Sequence, residues 1–372
     1  MPFDTGNVTF VACRLTGKMP ENVLEDFIRC KARSTDSVKD EPQTGWVTSR
    51  HLLDTLIDED TAYRAGFLSL TLRTAVRKIP SSLLSAECRI EELAMQQANN
   101  LHELTRKIKK EIKEDITERL IGQMPPSLSG LPFVALQDAQ TVYVGTASTG
   151  QIEGFIDEFK NTTGIEPYPL TPEVICLEEF GVDAEKLPRL NFSRKLNDEY
   201  ACHGTIGQDF LTWLLYMSES EGGLLQTNEA LGGEYGFAID GPLLFVADGK
   251  GALESVIRKG LPTQSAEAQA ALDVGKKLKQ AKLIFGRGDD IWQFTFDAET
   301  FAIRSLKLPQ GEKLDKESEF QERMMNIGML RDVLKFLFEK FVSILQSPEK
   351  SKALRSKIKS WLEERSLQFS DQ

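Results

Sequence analysis

Leu70-Thr71-Leu72-Arg73-Thr74-Ala75-Val76-Arg77-Lys78-Ile79-Pro80 reads as the end of a strand that begins near Phe67, carries cations to its tip and stops at a proline. A long charged segment follows. Ser81 or Ser82 is expected to cap it, and helical character runs to about Leu120 with a break near Asn99-Asn100. Its second half holds Arg106-Lys107-Ile108-Lys109-Lys110-Glu111-Ile112-Lys113. Ile108, Ile112, Ile116 and Leu120 recur every four residues, so one narrow stripe is apolar and the rest charged. At ~1.5 Å per residue this half should form a rod of roughly 30 Å. Met124-Pro125-Pro126-Ser127 ends it.

Beyond the rod, Phe133–Leu136 and Thr141–Val144 read as a hairpin around Gln137-Asp138-Ala139-Gln140. The next helix places Ile152, Phe155, Ile156 and Phe159 on one face and stops at Gly164, before Pro167-Tyr168-Pro169-Leu170. Towards the N-terminus, Val8–Leu15 is strand-like, and Pro20 opens a helix with Val23, Leu24, Phe27 and Ile28. Towards the C-terminus, Leu243–Val246 reads as a strand followed by a helix over 252–259. Ala281–Ile303 reads as strands around a Gly286–Asp290 turn, and helices span Phe320–Leu345 and Lys350–Leu367.

The fold class is α+β or mixed α/β, with sheet-based core units, a projecting helical rod and a helical tail. The expected division is a first α/β part (1–80), the helical projection (81–122), a second α/β part (123–175), a further α/β domain (176–345) with an insertion over 180–241 and a basic helical tail (346–372).

The chain has 372 residues, 41% hydrophobic and 27% charged, as in a soluble globular protein. It holds no apolar run long enough for a transmembrane helix. Met1–Gly6 lacks the pattern of a signal peptide, so a cytoplasmic location with no membrane partner is expected. The five cysteines are scattered, which fits reduced thiols, and three histidines cannot assemble zinc-ligand spacing.

Known chemistries find little support. Asp248-Gly249-Lys250-Gly251 lacks the upstream glycine and the hydroxyl residue of a phosphate-binding loop. Asp138 with Glu158 and Lys160 superficially suggests a metal-dependent nuclease, but Glu158 and Lys160 lie two apart on a helix and do not face the same way. No catalytic residue, metal or cofactor is expected.

Basic clusters are the stronger signal. Residues 106–119 carry six cations against four acids, 250–282 seven against three, and 349–359 five against one. On a chain of net charge −11, such local patches could meet a phosphate backbone, although each is also compatible with a solvated helix face.

The order of several motifs is similar to that of the RdgC family of recombination-associated proteins. It comprises Gly45-Trp46-Val47, Leu72-Arg73 with Lys78-Ile79-Pro80-Ser81, Lys109–Lys113, Thr141–Ser148 and Pro167–Leu170. Leu211-Thr212-Trp213, Val256–Lys259, Gly275–Leu278, Trp292–Thr295 and Ser305–Lys307 continue it, so the resemblance covers most of residues 8–345.

The resemblance implies a horseshoe-shaped subunit that pairs with a second copy into a ring. It implies a positively charged hole taking duplex DNA with little sequence preference, and so restraint of RecA-type recombination through the shared DNA. It also implies a nucleoid-associated protein, bacterial or encoded by a mobile element. Some members carry an exonuclease label. Two departures stand out. Gln123 and Pro125 occupy positions where the family carries an arginine and an aromatic residue, and the second basic loop is reduced to Arg258-Lys259.

On this reading Arg106, Lys107, Lys109, Lys110, Lys113, Arg258, Lys259, Lys276 and Lys277 contact phosphates, with Arg73, Arg77 and Lys78 as weaker candidates. The tail is expected to compensate for the missing arginine. Alternatives are a magnesium-dependent DNA exonuclease and a protein-interaction module built on the rod and tail.

Overall fold

Val8–Leu15, β-branched and alternating, forms β1. The computed structural model describes residues 3–38, 41–99, 102–136, 140–247, 253–311 and 315–370, with side chains to Ser366 in the last stretch. After β1 come α1 (Val23–Arg29), β2 (Gln43–Thr48), α2 (Glu59–Ala62), β3 (Tyr63–Arg64), β4 (Phe67–Arg77), α3 (Ser81–Ala98), α4 (Arg106–Ile121) and β5 (Pro126–Leu136). The middle of the chain holds β6 (Thr141–Val144), α5 (Thr149–Thr163), β7 (Pro167–Pro169), α6 (Pro172–Phe180), α7 (Asp198–Ala201), α8 (Ile206–Ser220) and β8 (Leu224–Gln226). It continues through β9 (Glu234–Val246), β10 (Glu254–Ile257), α9 (Ala266–Asp273), β11 (Lys277–Arg287), β12 (Asp290–Asp297) and β13 (Ile303–Lys307) to α10 (Lys316–Gln346) and α11 (Pro348–Ser370). The architecture is mixed α and β around antiparallel pairings.

Contacts divide the chain into two units, each assembled from separate segments because strand partners lie far apart in sequence. One comprises residues 1–18, 64–67 and 134–372; the other comprises 19–63 and 68–133. The helical segment 81–122 therefore shares a unit with β2 and most of β4.

In the larger unit the strand order is β10-β9-β11-β12-β13-β1-β6, with β7 on β1 and β8 on β9. β1 changes partner along its length, pairing Val8 and Phe10 with β13 and Val11–Arg14 with β6. Against these strands packs α8, buried continuously from Ile206 to Met217. Its Phe210 and Trp213 meet Phe341 of α10, with ring centroids 5.7 and 5.2 Å away. Gly207 is required for this approach, since a β-carbon there would overlap the Ala298 carbonyl oxygen. The sequence reading treated 180–241 as an insertion, yet α8 lies at the centre of this unit's core.

The expected helix over 252–259 is not found: residues 253–259 are not helical. Glu254–Ile257 forms β10, antiparallel to the end of β9. The run Leu253–Ile257 is too short for periodicity to separate helix from strand, and its β-branched Val256 and Ile257 favour the hairpin. The stretch 248–251, which lacks the residues of a phosphate-binding loop, lies outside the described residues.

The tail is a docked element of the larger unit. Leu354, Ile358, Trp361 and Leu362 of α11 are buried in its core. Trp361 Nε1–H donates to Glu219 Oε2 at 3.0 Å, and Arg365 binds Glu219 and the Thr263 carbonyl. Arg355 and Lys357 pair with Asp198 and Glu221. Three tail cations are thus held by acids of the same unit, which removes them from the expected compensation for a missing arginine; Lys350, Lys352 and Lys359 stay exposed.

In the smaller unit the order is β5-β4-β2. Phe27, Trp46 and Phe133 form its aromatic centre, with ring centroids 5.0 to 5.8 Å apart.

Candidate nucleic-acid interface

α3 and α4 form an antiparallel hairpin, because Arg119 near the end of α4 pairs with Glu87 near the start of α3 at 3.1 Å. At the other end Gln96 Nε2–H donates to the His102 carbonyl at 3.1 Å. Thr105 caps α4 by accepting the Ile108 N–H. Neither Ser81 nor Ser82 caps α3: Pro80 occupies the cap position and Ser81 is already helical. The apolar stripe behaves as expected. Leu104, Ile112, Ile116 and Leu120 are buried against Leu83, Leu84, Cys88 and Met95, with Ile108 at the margin. α4 has 16 residues, so at ~1.5 Å per residue it spans about 24 Å, shorter than expected.

The charges on α4 are segregated. At about 100° per residue, Arg106, Lys109, Lys110 and Lys113 fall on one flank of the buried stripe, and Glu111, Glu114, Asp115 and Glu118 on the far side. Lys107, which falls among the acids, pairs with Glu111 at 3.9 Å, and Lys110 with Glu114 at 3.4 Å. Among the described residues Arg106, Lys109 and Lys113 are exposed and take part in no ion pair. The first turn of α4 holds no acid, an arrangement that opposes the helix dipole. A nearby anion would relieve that strain on the helix.

The remaining candidates separate by burial. Arg73 is buried at 3% exposure and donates to the Leu52 and Arg33 carbonyls. Arg77 is half-buried and donates to the carbonyls of Val38 (2.7 Å), Gly122 (3.3 Å) and Met124, clamping the end of α4 to β4. Lys78 is exposed.

Lys276, 7% exposed, donates to Ser255 Oγ at 2.8 Å. Lys277, 2% exposed, binds Asp209 Oδ1 and the His203 carbonyl, both at 2.5 Å. Nearby, Lys279 pairs with Glu299 and Lys282 with Asp240. The cationic window at 250–282 is thus largely engaged inside its own unit. Arg73, Lys276 and Lys277 hold the fold and leave the set of phosphate contacts; their partners lie 21 to 74 residues away and cannot be read from local pattern. Arg258 and Lys259 remain exposed after β10, with Lys259 and Gly260 in the left-handed region. They belong to the larger unit and α4 to the smaller one.

The clamp by Arg77 carries its own prediction. Arg77→Ala orphans three carbonyls and should cost about 1–3 kcal/mol. Arg77→Lys should recover little, because one ammonium cannot reproduce the planar fork. Hydrogen exchange of α4 amides checks this: unchanged protection in Arg77→Ala would refute the clamp.

Of the nuclease-like set, Lys160 pairs with Glu166 at 2.6 Å and Asp138 lies outside the described residues. Among the described residues no group of three or more His, Cys, Asp or Glu is placed to hold a metal ion. No described helix is long and apolar enough to cross a membrane.

No curated protein matches the chain. One family model does, described as "Putative exonuclease, RdgC", over residues 9–174, which run from β1 through the α3–α4 hairpin into α6. The motifs from Leu211 onward fall beyond that match. The match takes in 166 of the 372 residues, a stretch that includes both halves of the hairpin and the strands that carry it, and over that stretch the chain is similar to the RdgC family.

Proposed function

We propose that this protein binds duplex DNA with little sequence preference, as a homodimer, and thereby restrains RecA-type recombination. The single observation that carries the reading is the exposed flank of α4, where Arg106, Lys109 and Lys113 share a face with no acid beside them. Cations at i, i+3 and i+7 on a straight helix match a run of phosphates, and such contacts position a protein on DNA without reading bases. Arg258, Lys259 and Lys78 are secondary contacts, each exposed. Support for the homodimer and for the recombination role comes from the family resemblance. Gln123, where that family carries an arginine, donates to the Arg119 carbonyl at 3.2 Å and leaves α4 as the main basic element of its unit.

The test is anisotropy of a labelled duplex of ~30 base pairs across salt, with and without Mg²⁺, followed by a gel of the DNA. Binding of intact DNA with a logarithmic salt slope of about −2.7 or steeper, at ~0.9 per phosphate contact, is expected. Absence of binding at low salt would overturn the reading. DNA shortened only with Mg²⁺ would replace it with the exonuclease named in the family's description.

A further inference from the structure

In the larger unit a cavity of about 220 Å³ opens between β1, α6, α10 and the β12–β13 strands. Sequence periodicity dictates its walls. Phe10, Ala12 and Arg14 alternate along β1, so all three point to one face. Ile175 and Glu179 lie four apart on α6, as do Arg331 and Lys335 on α10, so each pair lines one side of its helix. Phe296, Phe301 and Ile303 complete the apolar part.

The cavity is polarised. Phe10, Phe296 and Ile303 are no more than 3% exposed, whereas the side chains of Arg14, Arg331 and Lys335 are 27%, 34% and 46% exposed. The floor is therefore apolar and the rim cationic. Glu179 is the single carboxylate in the lining, and it is held from two sides by Arg14 at 2.5 Å and by Lys335. Burial alone would raise its pKa, but hydrogen bonding and charge from Lys335, then Arg14, keep it below the usual carboxylate range. Two further acids touch the rim cations from outside the lining: Glu178 bonds Arg14 at 3.0 Å, and Asp332 bonds Arg331 at 2.8 Å. The lining itself thus presents three cations to one anion over an apolar floor.

We propose that this cavity binds a small organic acid, with its apolar body against Phe10, Phe296 and Phe301 and its carboxylate between Arg331 and Lys335. An apolar cavity of roughly 150 Å³ is large enough to take up benzene, so this one accommodates a single ring or a short aliphatic chain. Arg331 and Lys335 stand one helical turn apart, which lets one carboxylate contact both. The Arg14–Glu179 pair forms the fixed wall beside them. None of these groups belongs to the α4 flank, so the site stands independently of the DNA-binding reading.

Benzoate and hexanoate are the probes, with benzamide and hexanamide as neutral isosteres, titrated into the full-length protein by calorimetry and followed by methyl NMR. Binding of the acids with chemical-shift changes at Ile175, Ile303 and Leu334, and at least about tenfold preference over the amides, is expected. Lys335→Met should weaken benzoate about tenfold and leave benzamide unchanged, while Lys335→Arg retains binding. An unaltered thermal midpoint in both variants shows that the fold is intact. The proposal is overturned if neither acid binds below about 10 mM, if acid and amide bind alike, if Lys335→Met binds benzoate as the wild type does, or if the shifts map away from these methyl groups.

Discussion

Lys277→Met lowers the stability of the larger unit by about 3–5 kcal/mol, the cost of leaving one member of a buried ion pair without its partner. Asp209 is fully buried, and Lys277 is its only ion-pair partner among the described residues. The Leu190 N–H at 3.3 Å is a weaker second contact. Burial already pushes the Asp209 carboxyl above the ordinary aspartate range, and the Lys277 charge opposes that shift. Removing the lysine strengthens the trend, which fixes the sign of the pH dependence. A carboxyl whose folded-state pKa exceeds its unfolded value favours the fold when protonated. The variant is therefore least impaired at or below the unfolded aspartate pKa of about 3.9 and loses stability relative to wild type as pH rises towards 7. The double variant Lys277→Met/Asp209→Leu should recover most of the loss, because an apolar pair of similar volume carries no desolvation cost. Urea unfolding followed through Trp213 and Trp292, both buried in this unit, reads the effect. A Lys277→Met chain within ~1 kcal/mol of wild type would return Lys277 to the list of DNA contacts.

Replacing Arg106, Lys109 and Lys113 together by alanine has the opposite profile. All three are exposed, so the folded chain should change by no more than about 0.5 kcal/mol per site. Alanine is also the stronger helix former, and the first turn of α4 loses cations that oppose its dipole. DNA binding, in contrast, should lose three phosphate contacts, flattening the logarithmic salt slope by about 2.7. Carried from ~1 M to ~0.1 M salt, that slope corresponds to roughly 500-fold weaker binding. The same anisotropy titration measures both quantities. A triple variant with an unchanged slope would exclude this flank as the interface. A control with Lys107→Ala and Lys110→Ala should have a smaller effect, because those lysines already face Glu111 and Glu114.

The contrast between Lys277 and Lys109 shows where sequence reading succeeds. Both sit in clusters of cations that look alike on paper. For α4 the isoleucines at every fourth position leave only one narrow stripe to bury, so the lysines between them must face water. The break after α3, the apolar stripe of α4 and the stop at Gly164 were legible for the same reason: each follows from local periodicity or backbone preference. Lys277 offers no such local signal. It begins β11, where burial depends on α8, and its partner Asp209 lies 68 residues earlier.

Other misreadings have the same origin. The strand at Glu254–Ile257 is decided by its pairing with β9, since periodicity alone does not separate helix from strand in so short an apolar run. The cluster of Arg14, Glu179, Arg331 and Lys335 went unnoticed because it draws on three elements more than 150 residues apart at the extremes. Its signal was present only in fragments, as the alternation of β1 and the i, i+4 spacing of α6 and α10.

The sequence by itself determined the mixed α and β character, the break that separates the two helices and the basic, narrowly striped character of α4, because these depend on interactions within about one helical turn or along one strand. Tertiary structure alone decided which cations are available. Placing Arg73, Lys276 and Lys277 beside distant carbonyls, a hydroxyl and a carboxylate exchanges water for internal partners, and no local pattern encodes a partner that arrives from another segment of the chain.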